Sequence, residues 1–214
     1  MRKINPADQF INTIDQGIRT LFGAPLVTER PDPAKDIEQD DSTLNNKQKR
    51  LVVGLMRINH AGEVSAQGLY QGQALTAHTE EVRHSMAKSA QEENDHLDWC
   101  ERRVKELDGH VSFLNPVWYA GSFTLGAIAG VAGDKWSLGF VAETEKQVVK
   151  HLDEHLQQLP QQDKKSQAIL EKMKEDELHH ATVALEGGGA PLPLPIRKAM
   201  GHVSKIMTKT AFHI

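Results

Sequence analysis

The sequence predicts an all-α protein. Four long central helices form a bundle, with an amphipathic helix before it, an apolar segment inside it and a basic amphipathic helix after it. Apolar residues recur at three- and four-residue intervals along most of the chain, the period of a helix with one buried face. Aromatic residues make up only 5% of the 214 residues and β-branched runs are few, which disfavours sheet. Ala, Leu, Glu, Gln and Lys fill the middle of the chain and favour helix. Charged residues at 25% and apolar residues at 39% are ordinary for a globular domain. A net charge of −4 carries no nucleic-acid signature. The single cysteine, Cys100, excludes an intramolecular disulfide and fits a reducing compartment.

Phe10, Ile14, Ile18 and Leu21 mark an amphipathic helix from Pro6 to Phe22. The first ten residues contain Pro6 and Asp8 and lack an apolar core, so no secretory signal is expected. From Gly23 to Asn46, three prolines and six acids read as a linker. Residues 1–46 are therefore expected to precede a single domain at 47–214. Asp41 or Ser42 would cap the first long helix, from about Lys47 to Ala77. The second runs from Thr79 to Leu107 and stops at the turn pair Asp108-Gly109.

Val111 to Gly133 is a run of 23 residues without a charged side chain, long enough to reach the range of a membrane span. Pro116, the share of Gly and Ala, Ser122 and Thr124 argue instead for an interfacial or partly inserted hairpin. Trp118, Tyr119 and Trp136 would then sit at headgroup level; a buried, Gly-rich core helix is the alternative. The third long helix runs from Asp134 to Leu159 and is stopped by Pro160. The fourth, Asp163 to Glu186, ends at three consecutive glycines. Beyond Pro191, Pro193 and Pro195, the stretch Ile196 to Ile214 has four Lys or Arg and no acid, interleaved with Met200, Val203, Met207 and Phe212. Such a tail suits a membrane surface, or packing on the bundle.

Each long helix has a stripe that should face the core, and each stripe holds a carboxylate. The first passes through Val52, Leu55, Asn59, Glu63, Ala66 and Tyr70, the second through Val82, Met86, Ser89, Glu93, His96 and Cys100. The third gives Phe140, Glu143, Gln147 and His151, the fourth Leu170, Met173, Glu177, His180 and Ala184. A buried unpaired carboxylate costs several kcal/mol or protonates, so it needs a metal or a partner. The order is Glu63, then Glu93-x-x-His96, then Glu143, then Glu177-x-x-His180. Residues three apart project from one helix face and can reach one metal. One Glu from each of two helices, with Glu-x-x-His from each of the other two, is the ligand set of ferritin-like dinuclear carboxylate proteins. The fold expected is thus a ferritin-like four-helix bundle, and its donors suit Fe or Mn. Either Glu93 or Glu177 could bridge two metals. Glu145 is expected to face away, toward the surface. The i+3 spacing selects His180 over His179, and His60 is either an outer partner of a carboxylate or a surface histidine.

The segment Arg57-Ile-Asn-His-Ala-Gly-Glu63 closely resembles the demethoxyubiquinone hydroxylase family. The resemblance extends to Glu93-x-x-His96, the apolar insertion, Val141-Ala-Glu143 and Glu177-x-x-His180. It covers about residues 47 to 214, and the His-Ala-Gly-Glu tetrad is its most specific part. It implies a monooxygenase that hydroxylates 2-polyprenyl-3-methyl-6-methoxy-1,4-benzoquinol in ubiquinone biosynthesis. It also implies two iron ions per chain on Glu63, Glu93, His96, Glu143, Glu177 and His180, with O2 as co-substrate. An external reductant is required, with NADH one candidate; no Gly-x-Gly-x-x-Gly follows a strand, so no nicotinamide or flavin domain is encoded. The partners implied are the polyprenyl quinol, a lipid surface, other ubiquinone-biosynthesis proteins and a second copy of the chain. The absence of a transit peptide makes the expected place peripheral, on the cytoplasmic face of a bacterial inner membrane, although a mature mitochondrial form would look alike. The first 46 residues have no counterpart in the family's shortest members. The His-Tyr pair of animal members, about two turns after the third-helix Glu, is replaced near Val149-Lys150.

Two other classes use some of the same features. A ferritin-type iron store or ferroxidase would use the same six ligands, but the uncharged segment and the basic tail are liabilities in a soluble cage. A non-enzymatic, lipid-binding membrane scaffold would pair its carboxylates with Arg57, Arg83 or Lys146. A manganese catalase has no evident use for the apolar segment.

Overall fold

A computed structural model describes residues 6–28 and 30–214, and among them the chain forms seven α-helices and no strand. They are α1 (Pro6–Phe22), α2 (Asn46–Thr76), α3 (Glu80–Glu106), α4 (Asn115–Val131), α5 (Asp134–Gln158), α6 (Lys164–Glu186) and α7 (Leu194–Ala211). The bundle is α2, α3, α5 and α6, joined as two hairpins, α2–α3 and α5–α6. The Phe10 side chain of the α1 stripe lies outside the described residues.

The helix ends follow local chemistry. Asn45 caps α2 and forms a reciprocal capping box with Gln48. Asp41 and Ser42 instead sit in a separate 3-10 turn, Asp41–Thr43. Thr79 caps α3, and Asp134 reaches across to accept from the backbone of His78 and Thr79 at 2.9 Å each. Asp163 caps α6. Positive φ at Asp108, Gly133 and Gly188 marks the turns after α3, α4 and α6.

Two apolar layers fill the bundle. Leu55, Met56, Trp99, Leu152 and Met173 belong to one, and Tyr70, Val82, Met86, Leu138 and Val141 to the other. The carboxylates and histidines fall between them along every helix.

The uncharged segment forms one helix, Asn115–Val131, not a hairpin, and it is neither a span nor a core helix. Among the described residues no helix is long and apolar enough to cross a membrane. One face of α4 packs backbone to backbone on α2. A methyl group at Gly72 would lie 2.2 Å from the Phe123 carbonyl oxygen, and one at Gly126 would lie 2.2 Å from that of Leu69. The opposite face leaves Val117, Leu125, Ile128 and Val131 exposed, and Phe113, in the turn before the helix, is exposed as well. Trp118 and Tyr119 turn inward rather than outward. Trp118 packs with Ile58, Ala61 and Ala211, and the Tyr119 hydroxyl donates to Gln71. Trp136 is the one of the three aromatics left exposed.

The stretch between α1 and α2 is not a free linker. Ala34 and Leu44 enter the core, and the acids that suggested solvation are anchors. Asp41 accepts from Arg103, whose buried guanidinium also reaches Asp163 and Ser166 of α6. Burial would strip Arg103 of its water, and four acceptors replace it, Glu106 being the fourth. At the other end of the chain, Met207 and Phe212 dock α7 on α2.

Candidate metal centre

Three of the four expected stripes are where spacing puts them. Glu63, Glu93, His96, Glu177 and His180 are all buried at the middle of the bundle. The α5 stripe is displaced by one face. Glu143 is only partly buried and accepts from Gln147 at 2.8 Å, while His151 meets Ser204 of α7. The core face of α5 is instead Leu138, Val141, Glu145, Leu152 and His155. Glu145, expected at the surface, is 1% exposed and receives the Tyr70 hydroxyl at 2.6 Å. The structure therefore exchanges the positions expected of Glu143 and Glu145: α7 covers the stripe that carries Glu143, and the bundle closes on the one that carries Glu145.

Around the centre the groups pair in a pseudo-twofold pattern. His96 Nδ1 lies 2.8 Å from Glu93 Oε2 and 3.1 Å from Glu177 Oε1. His180 Nδ1 lies 3.1 Å from Glu93 Oε1 and 3.2 Å from Glu177 Oε2. Each of the two glutamates thus offers one oxygen to either histidine. Glu63 stands beside His96 at 3.7 Å. One ligand atom from each of Glu63, Glu93, His96 and Glu177 falls within 4.8 Å of the others. Glu145 lies against Glu93, Glu177 and His180, close enough for their charges to act on it.

The outer ring nitrogens follow the same symmetry. His96 Nε2 is 3.0 Å from Asp176, the residue before Glu177. His180 Nε2 is 2.7 Å from Glu92, the residue before Glu93. Each helix that supplies Glu-x-x-His also supplies the carboxylate that orients the other helix's histidine, and both Nδ1 atoms are left facing inward. Spacing alone did not reveal Asp176 and Glu92; their position one residue before each Glu-x-x-His was the available signal. His60, by contrast, has no part in this ring. Its Nδ1 is the acceptor for the Asn115 amide of α4, at 3.4 Å.

Several of these atoms have no aligned hydrogen-bond partner in spite of short distances. They are both oxygens of Glu93, Nδ1 of His96 and Oε1 of Glu177, all buried. Orphaned lone pairs converging on one point, from carboxylates and imidazoles only, are what a hard or borderline cation needs. The donor set fits two such ions. Without a cation the charges settle on protons. Burial and then the Glu93 charge push Glu63 well up, and burial with Glu177 and Glu93 does the same to Glu145. Burial opposes charge on His180, yet its bonds to Glu177 and Glu93 raise it to about 12. Metal uptake must therefore release protons.

Comparison with known proteins agrees with this geometry. Residues 50–211 match the family model described as ubiquinone biosynthesis protein COQ7. The chain belongs to the COQ7 family. Curated relatives named 3-demethoxyubiquinol 3-hydroxylase include one from Nitrosococcus oceani, 57% identical over 213 residues, covering 100% of this chain and 99% of the relative. Another, from Acinetobacter baumannii, is 53% identical over 214 residues and all of both chains. One from Nitrosomonas eutropha is 56% identical over 207 residues, 97% and 98% of the two chains. These alignments include the segment before α2, so within the COQ7 family that segment goes with the bundle in such relatives. Among solved structures, a dodecameric thioferritin, the bacterioferritin-related protein of Bacteroides fragilis, has a TM-score of 0.54 at 17% identity. It covers 63% of this chain and 82% of its own. That likeness supports the ferritin-like fold alone. Two of the cations that a scaffold reading needs are committed elsewhere: Arg57 donates to the His110 and Phe212 carbonyls, and Arg83 to those of Ala74 and Ala77.

Proposed function

We propose that the chain hydroxylates 2-polyprenyl-3-methyl-6-methoxy-1,4-benzoquinol in ubiquinone biosynthesis, as a monooxygenase using two iron ions. The observation that carries the metal reading is the pair Glu93 and Glu177, each with one oxygen at either inward-facing histidine. These two, with Glu63 and His96 at one end and Glu145 and His180 at the other, would hold the two ions. Iron held there supplies the activation of dioxygen and the transfer of one oxygen atom to the ring, with electrons from an external reductant such as NADH.

The protein's own residues do the rest. Asp176 and Glu92 hold each imidazole in the tautomer with Nδ1 free. The Tyr70 hydroxyl holds one oxygen of Glu145. Tyr70 also lies at the floor of a cavity of about 780 Å³ between α1, α2 and α3, lined by Leu26, Gln67, Met86, Ala90 and Asn94. The ring of the quinol would enter this cavity, whose wall mixes apolar side chains with the amides of Gln67, Gln71 and Asn94 that could meet its oxygens. Its polyprenyl tail requires a bilayer. The exposed apolar residues of α1, α4 and α7, with the basic residues of α7, fit a peripheral seat on the cytoplasmic face of the inner membrane.

The test joins metal content to turnover. Anaerobic ferrous loading should give about two irons per chain. The loaded protein should hydroxylate a short-tailed demethoxyubiquinol with O2 and a reductant. Glu145→Ala should lose a large share of the iron, and Glu143→Ala should keep it. A wild-type chain that takes up no iron, or one depleted by Glu143→Ala and not by Glu145→Ala, would overturn the ligand assignment.

A further inference from the structure

We infer that Arg30, on the segment ahead of the bundle, is a positioning residue for the metal-binding histidines. The inference rests on the dinuclear reading above and gives that N-terminal segment a role at the site. The Arg30 guanidinium makes three directed contacts. Nε donates to Asp95 Oδ2 at 2.6 Å, Nη1 to Asp176 Oδ2 at 2.7 Å, and Nη2 to the Glu92 carbonyl at 3.0 Å. Its carbon lies 5.5 Å from the centre of the Trp99 ring, and that ring lies 5.4 Å from the ring of His96.

None of these targets is remote from the centre. Asp176 Oδ2 is the same oxygen that receives His96 Nε2. Glu92 holds His180 Nε2 through its side chain. Asp95 directly precedes His96 in α3. Arg30 therefore joins α3 to α6 at Asp176, one of the two carboxylates that orient the histidines, and at the backbone of Glu92, the other. A planar, permanently charged fork can hold these acceptors in one geometry, which a point charge cannot. Thr28 fixes the fork in turn. Its N–H and hydroxyl donate to the two oxygens of Asp95 at 2.6 Å each, and its hydroxyl oxygen accepts the Arg30 N–H at 3.1 Å. Lys172 meets Asp176 at Oδ1, 3.0 Å away, and leaves the oxygen shared with His96 to Arg30.

The same segment has a second anchor that serves as a control. Asp41 holds Arg103 far from the cluster and touches none of its residues. A purely structural strap would be loosened by removing either anchor. A positioning residue acts at one end only.

The experiment uses the full chain, stripped of metal and titrated anaerobically with Co(II), read by its visible d–d absorption, beside the thermal midpoint of the metal-free form. Arg30→Gln should weaken Co(II) binding about tenfold, as loss of an outer orienting group does, and shift the absorption bands. Arg30→Lys should recover part of both. Asp41→Asn should lower the thermal midpoint and leave Co(II) affinity and spectrum unchanged. If Arg30→Gln is not recovered folded, Arg30→Lys against Asp41→Asn gives the same comparison. Wild-type binding and spectrum in the Arg30 variants, or equal changes from both anchors, would overturn the inference. A wild type that binds no metal would instead remove the dinuclear reading on which it stands.

Discussion

An imidazole taken out of water resists protonation, and His155 is in that position. It lies on the core face of α5, about three turns beyond Glu145, with Nδ1 2.9 Å from Asn59 Oδ1. Burial, and secondarily His151, pull it from 6.5 down to about 4. The folded value is below the unfolded one, so the unfolded chain takes up a proton that the native chain refuses. The stability is whole above pH 6.5 and drains as pH falls from there toward 4. Between pH 7 and pH 5 the loss from this residue is about 2 kcal/mol. Urea unfolding of the metal-free proteins at those two pH values should show the wild type losing about that much more than His155→Gln. Equal losses would mean that the native histidine protonates freely. His155 also marks the stripe that spacing failed to select. On α5 two stripes on nearly opposite faces each hold one glutamate, Glu143 and Glu145, and no Glu-x-x-His pins the register as it does on α3 and α6. The signal that could have decided was apolar: Leu138, Val141 and Leu152 line the stripe of Glu145, whereas Gln147 and His151 line the other.

At the scale of elements, the close seat of α4 on α2 depends on glycines that the two helices present to each other. Gly68 and Gly72 meet the Tyr119 and Phe123 carbonyls, and Gly126 meets that of Leu69. Gly121 lies in the same helix with nothing within 4 Å of where a methyl group would be. The two positions should respond with opposite sign to one change. Gly121→Ala gains helix propensity in open space and should stabilise by about 0.5–1 kcal/mol. Gly126→Ala forces a methyl against backbone and should destabilise by about 1–3 kcal/mol. Chemical denaturation of the two variants decides it, and a stabilised Gly126→Ala would show that α4 is not seated on α2 in this way. The helix itself was legible from its uncharged run. Its partner was not, because the matching glycines lie some fifty residues earlier, and pairing two small-residue faces is a tertiary event that no local period records. Glycine content there suggested a loose interfacial hairpin; in the fold it permits contact.

For the whole molecule, the order of the pieces around α4 sets the direction in which the proposed site opens. Gly17 of α1 packs against Tyr119, and Met207 of α7 and Trp118 of α4 pack on the same cluster of Ile58, Ala61 and Ala211, so α1 and α7 both border α4. Each leaves apolar residues exposed: Ile11, Ile14 and Ile18 on α1, Val117 and Ile128 on α4, Val203 and Ile206 on α7. A large exposed apolar patch in a chain with a charged surface elsewhere marks an interaction site, and Arg197, Lys198, Lys205 and Lys209 add attraction to anionic headgroups. The cavity above Tyr70 has α1 as one wall, so a chain seated on this face would receive its quinol from the bilayer. The amphipathic patterns of α1 and α7 announced such surfaces separately; that both border α4 follows only from packing through Tyr119 and Trp118. Val117 and Ile128 stand eleven residues apart, three turns along one face of α4. Replacing both by Glu should reduce cosedimentation with phosphatidylglycerol-containing vesicles about tenfold or more, while iron uptake stays at the wild-type level. Retained iron with lost vesicle binding would separate the seat from the metal centre. Vesicle binding unchanged in the double variant would show that this apolar face meets something other than lipid.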